Sequence, residues 1–303
     1  MKKILVIGSI NKDISLYVKN LPSLGETILA NNMKESFGGK GANQAMTIAK
    51  MNGDVSFAGA VGDDLVGEEI ISFMKKEGVD TSAIKRSKLP TGTALITVDE
   101  NSDNNIIVYP GANYSITKED IDDIDNLIDE SDFILMQFEI TMETIEYVIE
   151  KASEKGKYII LNPAPYSQDF NKEFLKKVDL FIPNETEFLE LMGKDTKDNH
   201  DIDWFKMEAK EFYDKYRTDL IITLGSLGSL YYGENESFLV EANKVKAVDS
   251  TAAGDSYIGS LVYSLSIDKS LQDSMKFASK VAAITISRKG AMEAIPYIDE
   301  IEE

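Results

Sequence analysis

Six short apolar runs, KILVIGS, VSFAGAVG, DFILMQFE, YIILNPAP, DLFIPNE and DLIITLGS, each end in Gly, Pro, Asn or an acid. Between several of them lie amphipathic stretches such as EEIISFMKKEG, METIEYVIEKASEKG and WFKMEAKEFYDKY. Strands alternating with helices at this spacing build βαβ units, and these give a mostly parallel sheet with helices on both faces. The expected fold class is therefore α/β, with a Rossmann-like sheet. In such sheets ligands bind beyond the carboxyl ends of the strands. The strand-ending residues Gly8, Asn11, Glu139, Asn162, Asn184, Gly225 and Asp249 are expected to gather at one rim.

Two segments break the alternation. ISLYVKNL with TILANNMKESFGG, and TALITVDENSDNNIIVYPG, read as β-rich, the second as a hairpin with a polar turn at Glu100 to Asn104. Lacking helices of their own, they predict a small β-sheet lid inserted at about 14–38 and 92–111. No internal repeat, low-complexity tract or linker divides the chain, so residues 1–303 read as one domain.

Charge narrows the partners. Acids outnumber bases 52 to 32, a net charge of −20 that repels nucleic acid and anionic lipid. Neither nucleic acid nor membrane is expected as a partner. No run reaches the ~20 apolar residues of a membrane span, and MKKILVIGSI is too short for a signal peptide, so a cytoplasmic location is expected. The chain has no cysteine, which excludes disulfides and thiolate chemistry. Its one histidine, His200, lies in the polar stretch KDTKDNHDID and reads as a solvated surface residue, which removes histidine-based triads and zinc sites. The three arginines are scattered, so a bound phosphate must rely on backbone amides, lysines and a metal ion.

Two stretches of small residues carry the chemistry. In VDSTAAGDSY, Asp255 falls at the start of a helix whose buried face is Tyr257, Ile258, Leu261, Val262 and Leu265. It reads either as an N-cap or as a base beside an anion site, because the small run Ala252, Ala253, Gly254 opens the backbone to a ligand. In FGGKGANQA, Gly38, Gly39 and Gly41 permit positive φ and close approach, and Asn43 enters a helix running through Met51. A phosphate loop needs GK followed by Ser or Thr, which Gly41 rules out, and KILVIGSINKD lacks the GxGxxG of dinucleotide folds. Asn184 and Glu187 in PNETE form a capping-box pattern on the helix EFLELMG.

Taken in order, GSINKD (8–13), FGGKGANQA (37–45), MQFE (136–139), NPAP (162–165), PNETE (183–187), TLGSLG (223–228), DSTAAGDSY (249–257) and SRKGA (287–291) resemble the motif set of the PfkB carbohydrate kinase family, and within it the ribokinases. The resemblance runs the length of the chain and implies a ribokinase-like sheet with a β lid. It implies transfer of the ATP γ-phosphoryl group to a primary sugar hydroxyl, O5 of D-ribose. Asp255 then resembles the general base, and the amides of Ala252, Ala253 and Gly254 resemble an anion hole. Asn11, Asp13, Gly39, Lys40, Gly41, Asn43 and Glu139 resemble sugar ligands. Asn184 is implied near the ATP phosphates and Glu187 at Mg2+ through water. Thr223, Gly225, Ser226 and Gly228 resemble the nucleotide site, with Ser279 beside the adenine. Asp249, Thr251, Thr285, Arg288, Gly290 and position 294 resemble a K+ site, although Ala294 stands where these kinases commonly have serine. A homodimer through the lid is implied as well.

Two other readings remain open from the sequence. One is a related kinase of deoxyribose, fructose or a nucleoside; the other is a binder of sugar or nucleotide without activity. Retention of Asp255 beside its small-residue run argues against the second.

Overall fold

The computed structural model describes residues 1–101, 103–196 and 200–301. Its first strand, β1 (Ile4–Ile7), leads into β2 (Asn11–Tyr17), β3 (Asn32–Gly38) and helix α1 (Lys40–Lys50). There follow β4 (Val55–Gly62), α2 (Leu65–Lys76), β5 (Asp80–Ser87) and the hairpin β6 (Gly92–Val98) with β7 (Asn104–Tyr109). The middle of the chain forms α3 (Lys118–Asp123), α4 (Asp125–Glu130), β8 (Phe133–Gln137), α5 (Met142–Glu154), β9 (Tyr158–Asn162) and β10 (Leu180–Phe181). The remainder supplies α6 (Glu185–Met192), α7 (Ile202–Tyr216), β11 (Asp219–Thr223), β12 (Ser229–Tyr232), β13 (Ser237–Val240), α8 (Ala253–Ser266) and α9 (Leu271–Ile286).

The larger sheet has nine strands in the order β13-β12-β11-β10-β9-β8-β1-β4-β5. It is parallel from β11 to β5, and β12 and β13 extend it antiparallel. Period-two alternation explains why the central strands read as unbroken apolar runs. Leu5 and Ile7 of β1 enter one core and Ile4 and Val6 enter the other. Ile134 and Met136 of β8 separate from Phe133 and Leu135 in the same way. Both faces are covered, so both sets of side chains must be apolar.

The smaller sheet orders β3-β2-β6-β7, with β2 and β6 parallel and the other pairs antiparallel. It starts at Asn11, earlier than the expected residue 14. TILAN does not extend β3: Leu29 is exposed, and pairing with β2 closes at Tyr17 opposite Asn32. Within the expected turn at Glu100 to Asn104, Ser102 lies outside the described residues; so do Lys197 to Asn199 of the stretch around His200, and the last two residues of the expected domain. The polar strand β5 and the short pair β12 and β13 were not expected, since none carries a long apolar run. Helix α1 begins at Lys40, three residues before Asn43, because Gly39 turns the chain at φ 92°. No helix among the described residues is long and apolar enough to cross a membrane.

Candidate active site

Helix α1 meets the sheet at the carboxyl end of β1, and its glycines are set by that contact. A Cβ on Gly39 would sit 2.8 Å from Ser9 O, and one on Gly41 2.7 Å from Ser9 N. These glycines admit neighbouring backbone, not ligand. The first amides of α1 are satisfied internally: Lys40 N donates to Glu139 Oε2 at 3.1 Å, Gly41 N to Ser9 Oγ at 3.4 Å and Ala42 N to Ser9 O at 2.9 Å. Ser9 Oγ also donates to Glu139 Oε2. Glu139 thus closes one helix N-terminus.

The start of α8 is open by contrast. Ala252 takes a left-handed φ of 58°, and Ala253 N turns to Ser250 O at 3.2 Å. A Cβ on Gly254 would meet nothing within 4 Å, so packing does not require a glycine there. Asp255 lies in the first turn without capping it. Its Oδ2 accepts from Asn43 Nδ2 at 2.8 Å and its Oδ1 from Gln44 Nε2 at 3.1 Å, with the side chain 8% exposed. The N-cap reading of Asp255 is therefore excluded by geometry. The capping box of Asn184 and Glu187 is present: Asn184 N donates to Glu187 Oε2 and Glu187 N to Asn184 Oδ1, both at 2.8 Å.

A cleft of about 210 Å³ lies between these elements, lined by Lys40, Asn184, Glu187, Thr223 and the turn from Ala252 to Asp255. Asn162 and Ser250 line it too. Buried Asn11 and Asp13 belong to the start of β2. Asn11 Oδ1 accepts from Asn113 Nδ2 at 2.8 Å, and Asn113 also bonds both polar atoms of the Ile10 backbone.

Four carboxylates act on one ammonium. Burial, then the charges of Glu139 and Asp255, push Asp13 up to about 7. Burial pushes Glu187 up to about 7 against the pull of the Asn184 amide and Lys40. For Lys40, burial works downward, but Asp255, Glu139, Glu187 and Asp13 outweigh it and hold the ammonium above its ordinary value. Shifts of this kind collect where charged groups are held for chemistry.

The loop before α8 is tied to the segment after α9. Asp249 Oδ1 accepts from Thr251 N at 2.9 Å and Thr251 Oγ1 at 2.6 Å, and Oδ2 from Gly290 N at 3.1 Å. Burial raises the Asp249 carboxyl, but these donors outweigh it and hold it below the usual range. Thr285 O accepts from Arg288 N at 3.1 Å, the Arg288 guanidinium pairs with Glu300, and Ala294 is buried. Gly225 and Gly228 adopt φ of 54° and 105° beside exposed Ser226. Ser279, buried on α9, accepts from Asn243 Nδ2 at 3.1 Å. His200 is half-buried, stacked on Trp204 at 3.6 Å, and not the solvated residue expected from its polar surroundings. Among the described residues no group of three His, Cys, Asp or Glu is placed to hold a metal ion.

Gln44, Gln137, Ser9 and Asn113 were not singled out as site residues from sequence, and Asn162 only as a strand-ending residue at the expected rim. The available signal was the place of Gln44 next to Asn43 in FGGKGANQA; its full burial is seen only in the structure.

The model of the pfkB family carbohydrate kinases matches residues 1–298. A ribokinase of Schizosaccharomyces pombe is 37% identical, covering 100% of this chain and 97% of its own. A deoxyribokinase of Salmonella typhimurium is 34% identical, covering 99% and 97%. Among solved structures, a Thermotoga maritima ribokinase superposes with a TM-score of 0.89 at 35% identity, covering 100% and 98% of the two chains. An Arabidopsis thaliana ribokinase complexed with ribose and ATP gives 0.91 at 27%, covering 99% and 97%.

The carboxyl of Asp13 binds its proton more tightly folded, at about 7, than at its ordinary 3.8. Its contribution therefore falls as pH rises through that window. Asp13→Asn, which stays neutral, should be more stable than wild type at pH 8, by on the order of 1 kcal/mol or more, with the gap narrowing toward pH 5. Urea denaturation of the ligand-free proteins at both pH values measures this; a gap independent of pH would contradict it.

Proposed function

The chain belongs to the pfkB family of carbohydrate kinases, and on that footing we propose that it transfers the γ-phosphoryl group of ATP to O5 of D-ribose. The observation that carries this reading is buried Asp255, held by two amides at the foot of an open helix N-terminus. Asp255 accepts the O5 proton as O5 bonds to the γ-phosphorus. The bond from that phosphorus to the bridging oxygen breaks, and ADP leaves. Charge gathering on the transferred group meets the amide end of α8, with Gly254 leaving room for its approach. Lys40 supplies positive charge from the sugar side.

Asn11, Asp13, Lys40, Asn43 and Glu139 bind the sugar hydroxyls. Asn43 Oδ1 is buried and has no hydrogen-bond partner among the described residues, which supports an acceptor role toward a hydroxyl. The close packing at Gly39 and Gly41 supports a different part for these two, that of seating α1 so that its side chains converge on the sugar. Thr223, Gly225, Ser226, Gly228 and Ser279 flank the nucleotide, and Asn184 its phosphates.

Glu187, raised by burial and facing the cleft, suits a Mg2+ held through water, which neutralises phosphate charge when bound. Asp249 with backbone oxygens of Thr251, Thr285, Arg288 and Gly290 suits a monovalent cation such as K+. A single carboxylate among neutral donors is a weak field. We place the reaction in the cytoplasm, where ATP is made. The six residues of β7 are all exposed, Ile106, Ile107, Val108 and Tyr109 among them, which supports a homodimer through this lid edge.

A coupled ADP-release assay over pentoses, hexoses and nucleosides tests the substrate. Ribose should exceed 2-deoxyribose by roughly tenfold in kcat/KM, since a buried polar group losing its partner costs about 1–3 kcal/mol. Preference for deoxyribose, fructose or a nucleoside would overturn the sugar assignment and leave the kinase assignment standing. Asp255→Asn should lower kcat by about 10²–10⁴ with the fold intact; more than about a tenth of wild-type kcat would remove Asp255 from the role of base.

Potassium should raise the rate, and Asp249→Ala should abolish that response. Equal wild-type rates in sodium, potassium and a large organic cation would exclude the site. Sedimentation should give a dimer at micromolar concentration, and a strict monomer there would rule out pairing through β7.

A further inference from the structure

Asp255 is held from behind by a chain of buried amides. Gln44 Nε2 donates to Asp255 Oδ1 at 3.1 Å and lies 3.2 Å from Asn162 Oδ1. Gln137 Nε2 donates to Gln44 Oε1 at 2.6 Å, and Asn162 Nδ2 donates to Ile182 O at 2.8 Å. Gln44 and Gln137 are fully buried and Asn162 nearly so.

An amide can face either way, so something must fix its direction. Here both ends of the chain accept only. The Ile182 carbonyl requires the NH2 of Asn162, which turns Asn162 Oδ1 toward Gln44. That oxygen and the Asp255 carboxylate both require the NH2 of Gln44. Gln44 Oε1 must then face Gln137, which must donate. The polarity of three side chains on α1, β8 and β9 is set by chemistry alone.

With Asn43 on Oδ2 and Gln44 on Oδ1, each oxygen of Asp255 carries one donor. The plane of the carboxylate is thereby fixed, and Asp255 lines the cleft. We infer that Gln44, locked by Gln137 and Asn162, is a positioning residue that aims Asp255 at the sugar hydroxyl. This rests on Asp255 being the base in the proposed reaction. Gln44 acts through Asp255, and Gln137 acts through Gln44.

The test is a double-mutant cycle read in steady-state kinetics. Gln44→Leu should lower kcat by roughly tenfold to a hundredfold, the scale of a small misplacement of a reacting group, with KM for ribose within about threefold. Gln137→Met, which touches neither Asp255 nor the cleft, should lower kcat in the same direction by a smaller factor. The double variant should be no slower than Gln44→Leu alone, because the second change acts only through the first. Multiplying effects would overturn the inference, as would wild-type kcat in either single variant.

The acidic limb of kcat against pH supplies a readout that loss of packing would not move. Loss of one donor from the carboxylate cluster should move that limb to higher pH in Gln44→Leu. The Asp255 charge acts on Asp13 from β2, Lys40 from α1 and Glu187 from α6, so the limb belongs to the cluster and is compared only between wild type and variant. An unmoved limb counts against the relay. If Gln44→Leu does not fold, kcat and the limb of Gln137→Met decide by themselves. Asp255→Asn is measured alongside: if it turns over freely, the assignment of the base fails, whereas a dead Asp255→Asn with normal Gln44→Leu and Gln137→Met removes the relay alone.

Discussion

Two hydrogen bonds from α1 to Asp255 join the halves of this site. Asn43 and Gln44 come from the helix that follows β3 of the small sheet, and Asp255 from the helix that follows the antiparallel end of the large one. The partners are more than two hundred residues apart in sequence. Their meeting depends on α1 being seated against the end of β1, which the contacts of Gly39 and Gly41 with Ser9 enforce. A side chain at either glycine would push the helix away from the sheet. Asn43 and Gln44 would then lose the carboxylate. The geometry around Asp255 is in this sense a consequence of backbone packing some distance from its carboxylate.

Electrostatics gives the same region its cost. Asp13, Glu139, Glu187 and Asp255 act on Lys40 in a poorly hydrated space, and two of the four carboxyls are raised to about 7. An arrangement chosen for stability alone would hold fewer acids there. In the proposed reaction it would provide a set of acceptors and one ammonium arranged before substrate arrives, with little reorganisation at the moment of transfer. The distant surface shows the opposite economy. Asp122, Asp125 and Asp129 pair with Lys151 and Lys155 on exposed helix faces, where like charges are easily screened.

Identical-looking sequence signals turned out to differ in kind. GGKG and AAGD are both runs of small residues at helix starts, and both read as places where a ligand approaches backbone. In the first the space is filled by Ser9 and Glu139; in the second it is empty. Composition cannot separate these cases, because what fills the space comes from strands far away in the chain. His200 was misread for a similar reason. Its neighbours in sequence are polar, but its neighbour in space is the Trp204 ring one helical turn on.

The sequence by itself determined the large sheet, because β1, β4, β8, β9 and β11 must be apolar on both faces and so announce themselves as continuous runs. It also determined the acids and amides at their ends, and the motif order that identified the family. Only the tertiary structure decided where β5, β12 and β13 lie, since short or polar edge strands draw their stability from neighbours more than from their own residues. Only the tertiary structure, too, excluded the cap at Asp255 and brought Gln44, Gln137 and Asn162 into line behind it. A hydrogen bond between distant residues leaves no local pattern: its partners are chosen by where the strands end in space.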